Sequence, residues 1–378
     1  MLPASGTGVP AVVGLEVSRF TAAVSIPDSH YIPSVPTVRI LFFADTHLGF
    51  DLPARPRIKR RRRGDDFFAN YELILQAAVR NGFDLVVHGG DLFFRSRVPP
   101  ELVQRAFLPL KRVADRGIPI FIVPGNHERS RIPYDMLARH EGINIFDRPR
   151  RFVADIGGTR IMLAGFPYQR NNVRGEFPSL LSSAGWSEER ADVNLLCVHH
   201  CFEGATVGPS DYVFRYNDDV IRHSDVPREF AAVLTGHVHR HQILTKDLWG
   251  RRLTTPVLYP GSIERTSYAE QDEAKGYMEL DLDPNATPFT PITSMRFVEL
   301  PARPMVTESI DGASVAAAAL EKLLVTAIGR APSDAVLRLR ISGTLYDDAR
   351  QMLTAAHLRS LAPDTMNVEA VLVDMRNP

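Results

Sequence analysis

The stretch from residue 39 to 49 reads Arg-Ile-Leu-Phe-Phe-Ala-Asp-Thr-His-Leu-Gly, and its first half decides the fold class. The apolar run is too short for a helix and apolar at successive positions, which is typical of a strand buried on both faces. Asp45 and His47 follow at the end of that run. Their two-residue spacing puts both side chains on one side of an extended chain, so we expect them to point at a common site.

Similar apolar runs recur along the chain and predict further buried strands. Helical spacing at 67–80 and 100–116 separates the first three runs, and Gly82 and Gly117 stand just past these segments as C-terminal stops. The other runs are 84–87, 118–123, 160–164, 193–198 and 231–234. Short buried strands alternating with helices predict an α/β sandwich with mixed sheets.

The chain changes character near the prolines at 284–291. Beyond them we predict strands at 295–300, 303–310, 335–345 and 367–376, and helices at 312–329 and 347–361. Residues 336–341 alternate with period two, which predicts a sheet with one wet face. We therefore expect an N-terminal extension at 1–37, a large α/β domain at 38–285 and a small α+β domain at 290–378.

Composition narrows the class of protein. The 378 residues carry 44 Lys+Arg and 44 Asp+Glu, so a protein coated in basic surface is excluded, although a local basic patch is not. Two cysteines cannot staple a chain of this size, which fits a reducing compartment. We find no secretory leader pattern and no apolar run of about 18 residues, so we expect a cytoplasmic protein without a membrane span.

Polar clusters follow five of the predicted strands. Because ligands collect at the carboxyl ends of strands in open α/β sheets, these clusters should converge in space. Any one of them is a weak signal, since a histidine at a strand end is more often structural; the ordered conjunction of five is what predicts a site. The clusters are Asp45 and His47, Asp91, Asn126 and His127, the doublet His199–His200, and His237 and His239.

The number and type of these groups predict two metal ions. One tetrahedral zinc cannot use seven ligands, whereas two metals that share a bridging carboxylate can, and Asp91 is the candidate bridge. Four imidazoles favour manganese, iron or zinc over magnesium or calcium. Two divalent ions with two carboxylates leave a charge of about +2, which attracts a phosphate. The seven groups are Asp45, His47, Asp91, Asn126, His199, His237 and His239.

The same motifs resemble those of a known superfamily. Asp45-Thr-His47, Gly90-Asp91, Gly125-Asn-His127, His199 and Gly236-His-Val-His239 are similar to the five motifs of the calcineurin-like metallophosphoesterases, over residues 38–285. The flanking residues at 45–49, 90–94 and 259–263, the strand at 276–280 and the small C-terminal domain resemble an SbcD-type DNA repair exonuclease subunit. The resemblance implies a β-sandwich flanked by helices, with the small C-terminal α+β domain as a cap.

The resemblance also implies residue roles. Asp45, His47, Asp91 and His239 would hold one metal, and Asp91, Asn126, His199 and His237 the other. From the doublet we choose His199, the first polar position after its strand, because its neighbour His200 must face the opposite way. His127 should point away from the metals, face the scissile phosphate and assist the leaving group. Its neighbour is Glu128, where aspartate is common in the family.

The implied reaction is phosphodiester hydrolysis by a hydroxide that two metal ions, manganese for preference, activate. The implied partners are DNA, an SbcC-type ATPase subunit and a second copy of the chain. Two other functions are compatible with the motifs. The first is a phosphoesterase of the same superfamily that acts on cyclic nucleotides or phosphoproteins, and the second is a non-catalytic DNA-binding or scaffold protein.

A basic run at 55–63 has seven Arg or Lys side chains in nine residues, close behind the first metal motif. A charge run is usually a solvated face, but phosphate contacts of this kind supply much of non-specific DNA affinity. We therefore expect DNA contacts from Arg60, Arg61, Arg62 and Arg63. The alternative is that some of them pair with Asp65 and Asp66 and position the following helix. We interpret Trp186 and Trp249 as packing residues.

Overall fold

The computed structural model describes residues 37–53, 58, 60–128, 140–286 and 291–373. The predicted N-terminal extension, apart from Thr37, lies outside these residues. The strands, in chain order, are β1 Val38–Phe43, β2 Leu85–His88, β3 Ile120–Ile122, β4 Ile143–Ile145, β5 Arg150–Ile156, β6 Thr159–Gly165, β7 Val193–Val198, β8 Cys201–Phe202, β9 Thr206–Val207, β10 Tyr212–Val213, β11 Val220–Ile221, β12 Ala232–Thr235, β13 Gln242–Lys246, β14 Arg252–Tyr259, β15 Gly276–Leu282, β16 Ile292–Glu299, β17 Met305–Asp311, β18 Val336–Ser342 and β19 Asn367–Val373. The helices are α1 Arg63–Arg80, α2 Pro100–Ala114, α3 Val173–Ser183, α4 Ala317–Arg330, α5 Asp347–Gln351 and α6 Ala355–Leu361.

Two six-stranded mixed sheets form the larger part of the described chain. The first sheet has the order β16-β15-β1-β2-β3-β4, with β1 to β4 parallel and with β15 and β16 added antiparallel at one edge. The second sheet has the order β13-β14-β12-β7-β6-β5, with β6, β7, β12 and β14 parallel and an antiparallel strand at each edge. The predicted α/β sandwich with mixed sheets is confirmed.

The central strands are apolar at successive positions because each face packs on a different layer. In β1, Ile40 and Phe42 belong to the core between the two sheets, whereas Leu41 and Phe43 belong to the core under α1 and α2. Strand β7 follows the same rule, with Leu195 in the core between the sheets and Leu196 in the core under α3. Double-faced burial therefore explains the unbroken apolar runs of the sequence.

The first helix begins four residues earlier than its apolar spacing predicts. Its first turn falls in the basic run, at Arg63, and carries Asp65 and Asp66, which favourably face the positive end of the helix dipole. Gly64 is buried there, and a Cβ on it would lie 2.2 Å from the carbonyl oxygen of Phe50. The predicted stops Gly82 and Gly117 are confirmed, since both adopt positive φ just past their helices.

A third sheet of three parallel strands, β17-β18-β19, forms the C-terminal part with its own apolar core. Leu337, Leu339 and Ile341 of β18 are buried against the helices, whereas Arg338 and Arg340 are not, so the predicted wet face is confirmed. The predicted helix at 347–361 is two helices, because Thr354 accepts a hydrogen bond from the His357 N–H and caps α6.

One strand assignment from the sequence is wrong. We placed the strand at 295–300 in the small C-terminal domain, but β16 pairs with β15 along its whole length and so completes the first sheet. The seam between the first and third sheets therefore lies after Glu299, whereas the sequence predicts the domain boundary at 285–290. None of the described helices is long and apolar enough to cross a membrane.

Candidate metal centre

The structure brings all seven predicted ligand side chains together at one edge of the two facing sheets. The loops after β1, β2 and β3 carry Asp45, His47, Asp91 and Asn126, and the loops after β7 and β12 carry the remaining histidines. These strands are parallel within each sheet, so their carboxyl ends meet at the same edge. Backbone bonds fasten the first two loops: the Asp45 N–H donates to Gly90 O at 2.9 Å and the His47 N–H to Asp91 O at 3.0 Å.

Four of the seven residues have a strained backbone. Asp45, His47, Asp91 and His237 adopt φ values of 51°, 41°, 55° and 76°, in the left-handed region that non-glycine residues rarely occupy. Such strain costs of order 1–3 kcal/mol per residue and gathers at functional sites, where the surrounding structure enforces it. The strain is therefore an indication of function that is independent of the side-chain chemistry.

Two glycines let the loops approach closely enough to form the cluster. A Cβ on Gly90, whose φ is positive, would lie 2.1 Å from His199 Nδ1. A Cβ on Gly125 would lie 2.2 Å from Asp91 Oδ1. Any side chain at either position would thus displace a member of the cluster, which explains why the motifs contain glycine beside their polar residues.

The first group of ligand atoms lies between the β1 and β12 loops. His47 Nε2 and His239 Nε2 are 3.0 Å apart, and His239 Nε2 is 4.0 Å from Asp45 Oδ1. The ligand atoms of Asp45, His47 and His239 all lie within 4.8 Å of one another. Imidazole nitrogens that converge with a carboxylate oxygen form a donor set that fits a borderline divalent ion.

The second group lies between the β3, β7 and β12 loops. Asn126 Oδ1 is 3.1 Å from His199 Nε2 and 2.9 Å from His237 Nδ1. Asp91 Oδ2 is 3.4 Å from His199 Nε2 and 3.9 Å from His47 Nε2, so this one oxygen contacts members of both groups. The arrangement fits two ions with Asp91 between them, which is the division that the family resemblance implies.

Burial divides the cluster into two parts. The floor, as we call it, is buried and consists of Asp45, His47, Asp91 and His199. The rim is half-buried and consists of Asn126, His127, His237 and His239. Since only the rim is open to solvent, a substrate must approach the cluster from the rim.

The pKa values of the cluster follow from this burial. Burial raises the pKa of Asp45, lowers that of His47 well below its ordinary value and lowers that of His237 to about 3. Burial also opposes the charged forms of Asp91 and His199, but their mutual attraction outweighs it. The pKa of Asp91 therefore falls below its ordinary value and that of His199 rises to about 9. Neutral His47 and His237 are in the form that binds metals.

His127 lies at the rim, and our expectation that its side chain points away from the metal ligands is wrong. Its Nε2 is 3.9 Å from Asp91 Oδ2, and its ring centroid is 4.8 Å from that of His47. The His127 N–H donates to Asp91 Oδ1 at 2.9 Å, and Nδ1 is 2.9 Å from Phe94 O. Because a carbonyl oxygen can only accept, Nδ1 carries the proton and Nε2 faces the cluster.

The two histidines of the doublet face different environments. His199 lies in the floor, and its Nδ1 donates to Gly89 O at 2.8 Å. His200 is turned to the other side, where its N–H donates to Thr235 Oγ1 at 3.1 Å and its Nε2 accepts from the Gln169 N–H at 3.1 Å. The choice of His199 as the ligand agrees with this geometry, and its role in binding a metal stays a prediction.

Glu270 is a supporting residue that sequence reasoning missed. Its Oε1 is 3.3 Å from His239 Nδ1 and accepts from Thr266 Oγ1 at 2.6 Å, while its Oε2 is 2.8 Å from the buried ammonium of Lys275. Lys275 in turn donates to His239 O at 2.8 Å. Glu270 thus orients the His239 ring through the nitrogen that faces away from the cluster. No sequence signal pointed to it, since it stands 31 residues from His239 with no motif around it.

Glu128 supports the opposite side of the cluster. Its carboxyl group is buried and accepts from the Phe93 N–H at 3.0 Å and from the Gly125 N–H at 2.8 Å. It therefore connects the loop that carries Asp91 with the loop that carries Asn126. Burial and the nearby Asp91 raise the pKa of Glu128 to about 8. In the sequence, Glu128 stands out only because aspartate is common at this position in the family.

The four arginines expected to contact DNA are placed between the first and third sheets. Arg61 pairs with Asp66 at 2.7 Å and Arg62 with Asp51 at 3.5 Å. Arg63 donates to the carbonyl oxygen of Arg265 and lies over the Phe50 ring at 5.1 Å.

Arg60 lines a cleft of about 460 Å³ that Arg338 and Arg359 also line. The pairing of Arg61 with Asp66 agrees with the alternative interpretation of the basic run, and DNA contact by these arginines stays a prediction.

The two tryptophans differ. Trp186 packs on Phe230, with ring centroids 5.1 Å apart, as expected. Trp249 is 73% exposed at the tip of the β13–β14 hairpin, so the packing interpretation of this residue is wrong. The hairpin tip lies at the edge of the second sheet opposite the cluster, because β14 runs from the tip toward Tyr259 and the His239 loop.

Comparison with known proteins now identifies the class. The profile of the calcineurin-like phosphoesterase family matches residues 38–241, which is more than half of the chain. The chain therefore belongs to this family of phosphoesterases, whose members use dimetal centres. The predicted superfamily and the predicted hydrolase class are confirmed.

Several similar curated proteins are named DNA double-strand break repair protein Mre11. The protein of Archaeoglobus fulgidus is 25% identical over 85% of this chain and 72% of its own length. That of Haloferax volcanii is 30% identical over 66% of this chain and 50% of its own length, and that of Aeropyrum pernix is 25% identical over 72% and 63%. The chain thus spans between half and about three quarters of the length of these relatives.

Proposed function

We propose that the chain is a metal-dependent phosphodiesterase that cleaves DNA, as the nuclease subunit of an SbcCD-type repair complex. The observation that carries this proposal is the cluster itself, in which the seven predicted ligand side chains come from five strand-end loops and form two groups that both contact Asp91. The similarity to Mre11 proteins over most of the chain supports DNA as the substrate. We propose that the first two sheets, up to Glu299, form the catalytic domain and that the third sheet with its helices forms the cap domain.

We assign the first metal to Asp45, His47, Asp91 and His239, and the second to Asp91, Asn126, His199 and His237. The donor set supports manganese, with iron or zinc as the alternatives. Two such ions, when bound, lower the pKa of a water molecule and neutralise charge on the phosphoryl oxygens. The chain supplies the neutral imidazoles of His47 and His237 and the ionised carboxylate of Asp91 for this purpose.

We assign His127 to the leaving group. The bond between Nδ1 and Phe94 O fixes the ring, so that Nε2 faces the rim from which a substrate must approach. A protonated Nε2 in this position can donate its proton to the departing oxygen of a phosphodiester. The half-buried state of His127 fits this role, since the ring is held but remains accessible.

The proposed partners are DNA, an ATPase subunit of the SbcC type and a second copy of the chain. Arg60 is the member of the basic run that supports DNA contact best, since it has no ion pair among the described residues and lines the cleft beside Arg338 and Arg359.

A manganese-dependent cleavage assay tests the function. Linear and hairpin DNA are offered beside a cyclic nucleotide and a phosphopeptide, with and without Mn²⁺. We expect cleavage of DNA that stops on chelation of the metal. Hydrolysis of the cyclic nucleotide or the phosphopeptide alone would favour the other phosphoesterase activities, and DNA binding without any hydrolysis would favour a scaffold.

A further inference from the structure

A cavity of about 470 Å³ adjoins the second ligand group and is lined by Gly125, Asn126, Tyr168 and Arg170. Asn126 lines the cavity and also belongs to the second ligand group. Any molecule in the cavity therefore lies next to that ligand group. The volume is in the usual range for a small-molecule site. Among the residues that the structure describes, Tyr168 and Arg170 are the two cavity side chains to which the family motifs assign nothing.

Tyr168 is held as a fixed aromatic wall of this cavity. Its N–H donates to Pro124 O at 2.9 Å, which ties its loop to the loop of Asn126. Its ring stacks on His200, with centroids 4.8 Å apart and planes 15° apart. His200 is itself fixed by Thr235 and by the Gln169 N–H. The ring also lies 5.6 Å from His237, a member of the rim.

Arg170 provides a positive charge at the same cavity. It is exposed, and it makes no ion pair and no side-chain hydrogen bond with the described part of the chain. Arg174, four residues along, shows the contrast, because it pairs with Glu203 at 2.8 Å. An aromatic wall beside an uncompensated guanidinium is the combination that binds a nucleotide, through its base and its phosphate respectively.

We propose that this cavity binds the nucleoside on one side of the scissile phosphodiester, with the base against Tyr168 and the next phosphate paired with Arg170. The proposal rests on the proposed DNA cleavage and names a substrate subsite for it. A base that stacks on Tyr168 must first leave the stack of its own strand, so the cavity favours an unstacked nucleotide. Tyr168 and Arg170 are therefore residues that position the substrate.

The test uses single-stranded oligonucleotides with one ordinary phosphodiester among phosphorothioate linkages. In matched oligonucleotides an abasic residue replaces the nucleotide on either side of the cleavable bond. We expect Tyr168→Ala to lower kcat/KM about tenfold on the complete oligonucleotide. On the oligonucleotide that is abasic at the bound position, wild type and Tyr168→Ala should cleave equally. Tyr168→Phe, which keeps the ring, should stay close to wild type on both.

Substitution of Arg170 provides a second test of the proposal. Arg170 is exposed, so this test does not depend on the stability of the Tyr168 variant. Arg170→Ala should raise KM and reduce the slope of log affinity against log salt by about one, and Arg170→Lys should restore the slope. Arg228→Ala, a change at an arginine 75% exposed and outside this cavity, is the control and should leave both unchanged. Manganese binding is measured on each variant and should be that of wild type.

Two outcomes overturn the proposal in distinguishable ways. If Tyr168→Ala loses the same factor on complete and abasic oligonucleotides and Arg170→Ala keeps the wild-type salt slope, the subsite is refuted while DNA cleavage stands. If wild type cleaves no oligonucleotide but hydrolyses a cyclic nucleotide, the proposed function fails and the subsite fails with it.

Discussion

The floor and the rim of the cluster differ in burial, in backbone strain and in the hydrogen bonds that their side chains make. The floor residues Asp45, His47 and Asp91 combine near-complete burial with left-handed backbone, whereas only His237 of the rim is strained. The floor carboxylates are also tied to the backbone, since Asp45 accepts from the His237 N–H at 3.1 Å and Asp91 from the His127 N–H at 2.9 Å.

The difference separates the residues that hold the site together from those that serve the reaction. A substitution in the floor changes a buried side chain that is hydrogen-bonded to the loops. It should therefore abolish metal binding and activity together. A change in the rim should leave the floor in place and affect the substrate or one ligand.

Asp91→Asn should have the largest effect. The substitution keeps the shape and one acceptor oxygen but removes the charge that contacts both ligand groups. Turnover should fall about a thousandfold or more, because the charge stabilisation that two ions supply amounts to several kcal/mol. Manganese binding, followed by calorimetry, should fall with it. Asp115→Asn, at an exposed carboxylate, is the control, and normal metal binding by Asp91→Asn would contradict the bridge.

His127→Ala should separate turnover from metal binding. Loss of a positioned proton donor lowers turnover about a hundredfold. Manganese affinity should stay at the wild-type value, because His127 lies at the rim and the seven ligand side chains remain. His140→Ala, at a histidine that pairs with Asp115 outside the cluster, should change neither quantity. Near-normal DNA cleavage by the His127 variant with metals bound would show that the assignment is wrong.

Glu270→Gln should weaken the first metal site through His239. An altered partner of a ligating imidazole typically costs 10–100-fold in metal affinity, and we expect about tenfold here because Gln can still accept a hydrogen bond. Glu273→Gln is a matched control, since Glu273 also pairs with Lys275, at 2.9 Å, but has no bond to His239. Equal losses of manganese affinity in both variants would mean that the effect arises from Lys275.

Arg60→Ala should have the smallest effect, because Arg60 lies outside both floor and rim. We expect unchanged manganese binding and a DNA affinity whose log–log salt slope is reduced by about one. Arg61→Ala is the comparison, and its slope should change less because Arg61 is already paired with Asp66. An unchanged slope for Arg60→Ala would end the proposal that the basic run contacts DNA.

The strands and the cluster could be predicted from sequence because both have local causes. A strand that is buried on both faces needs a continuous apolar run, which is visible in the sequence. Parallel strands bring the residues that follow them to one edge of the sheet. The first residue of a helix was harder to predict from the sequence. Helix α1 begins inside the basic run, where Gly64 packs on the Phe50 carbonyl, and this contact is invisible in the pattern of apolar residues.

Features that depend on distant pairing could not be predicted. The strand Ile292–Glu299 has the same local pattern whether it pairs with β15 or with the third sheet, so its place is decided by the tertiary fold. Glu270 reaches His239 only after the chain has folded. His127 turned toward the cluster because of its bond to Phe94 O, a contact 33 residues away that strand alternation does not reveal.

A manganese titration of the whole chain, read by calorimetry and by electron paramagnetic resonance, tests directly whether the cluster holds two ions. Two ions that share the Asp91 carboxylate must be close enough for their spins to couple. We predict two manganese ions per chain and the spectrum of a coupled pair. A single bound ion, or two ions with the spectra of isolated manganese, would contradict the dimetal centre.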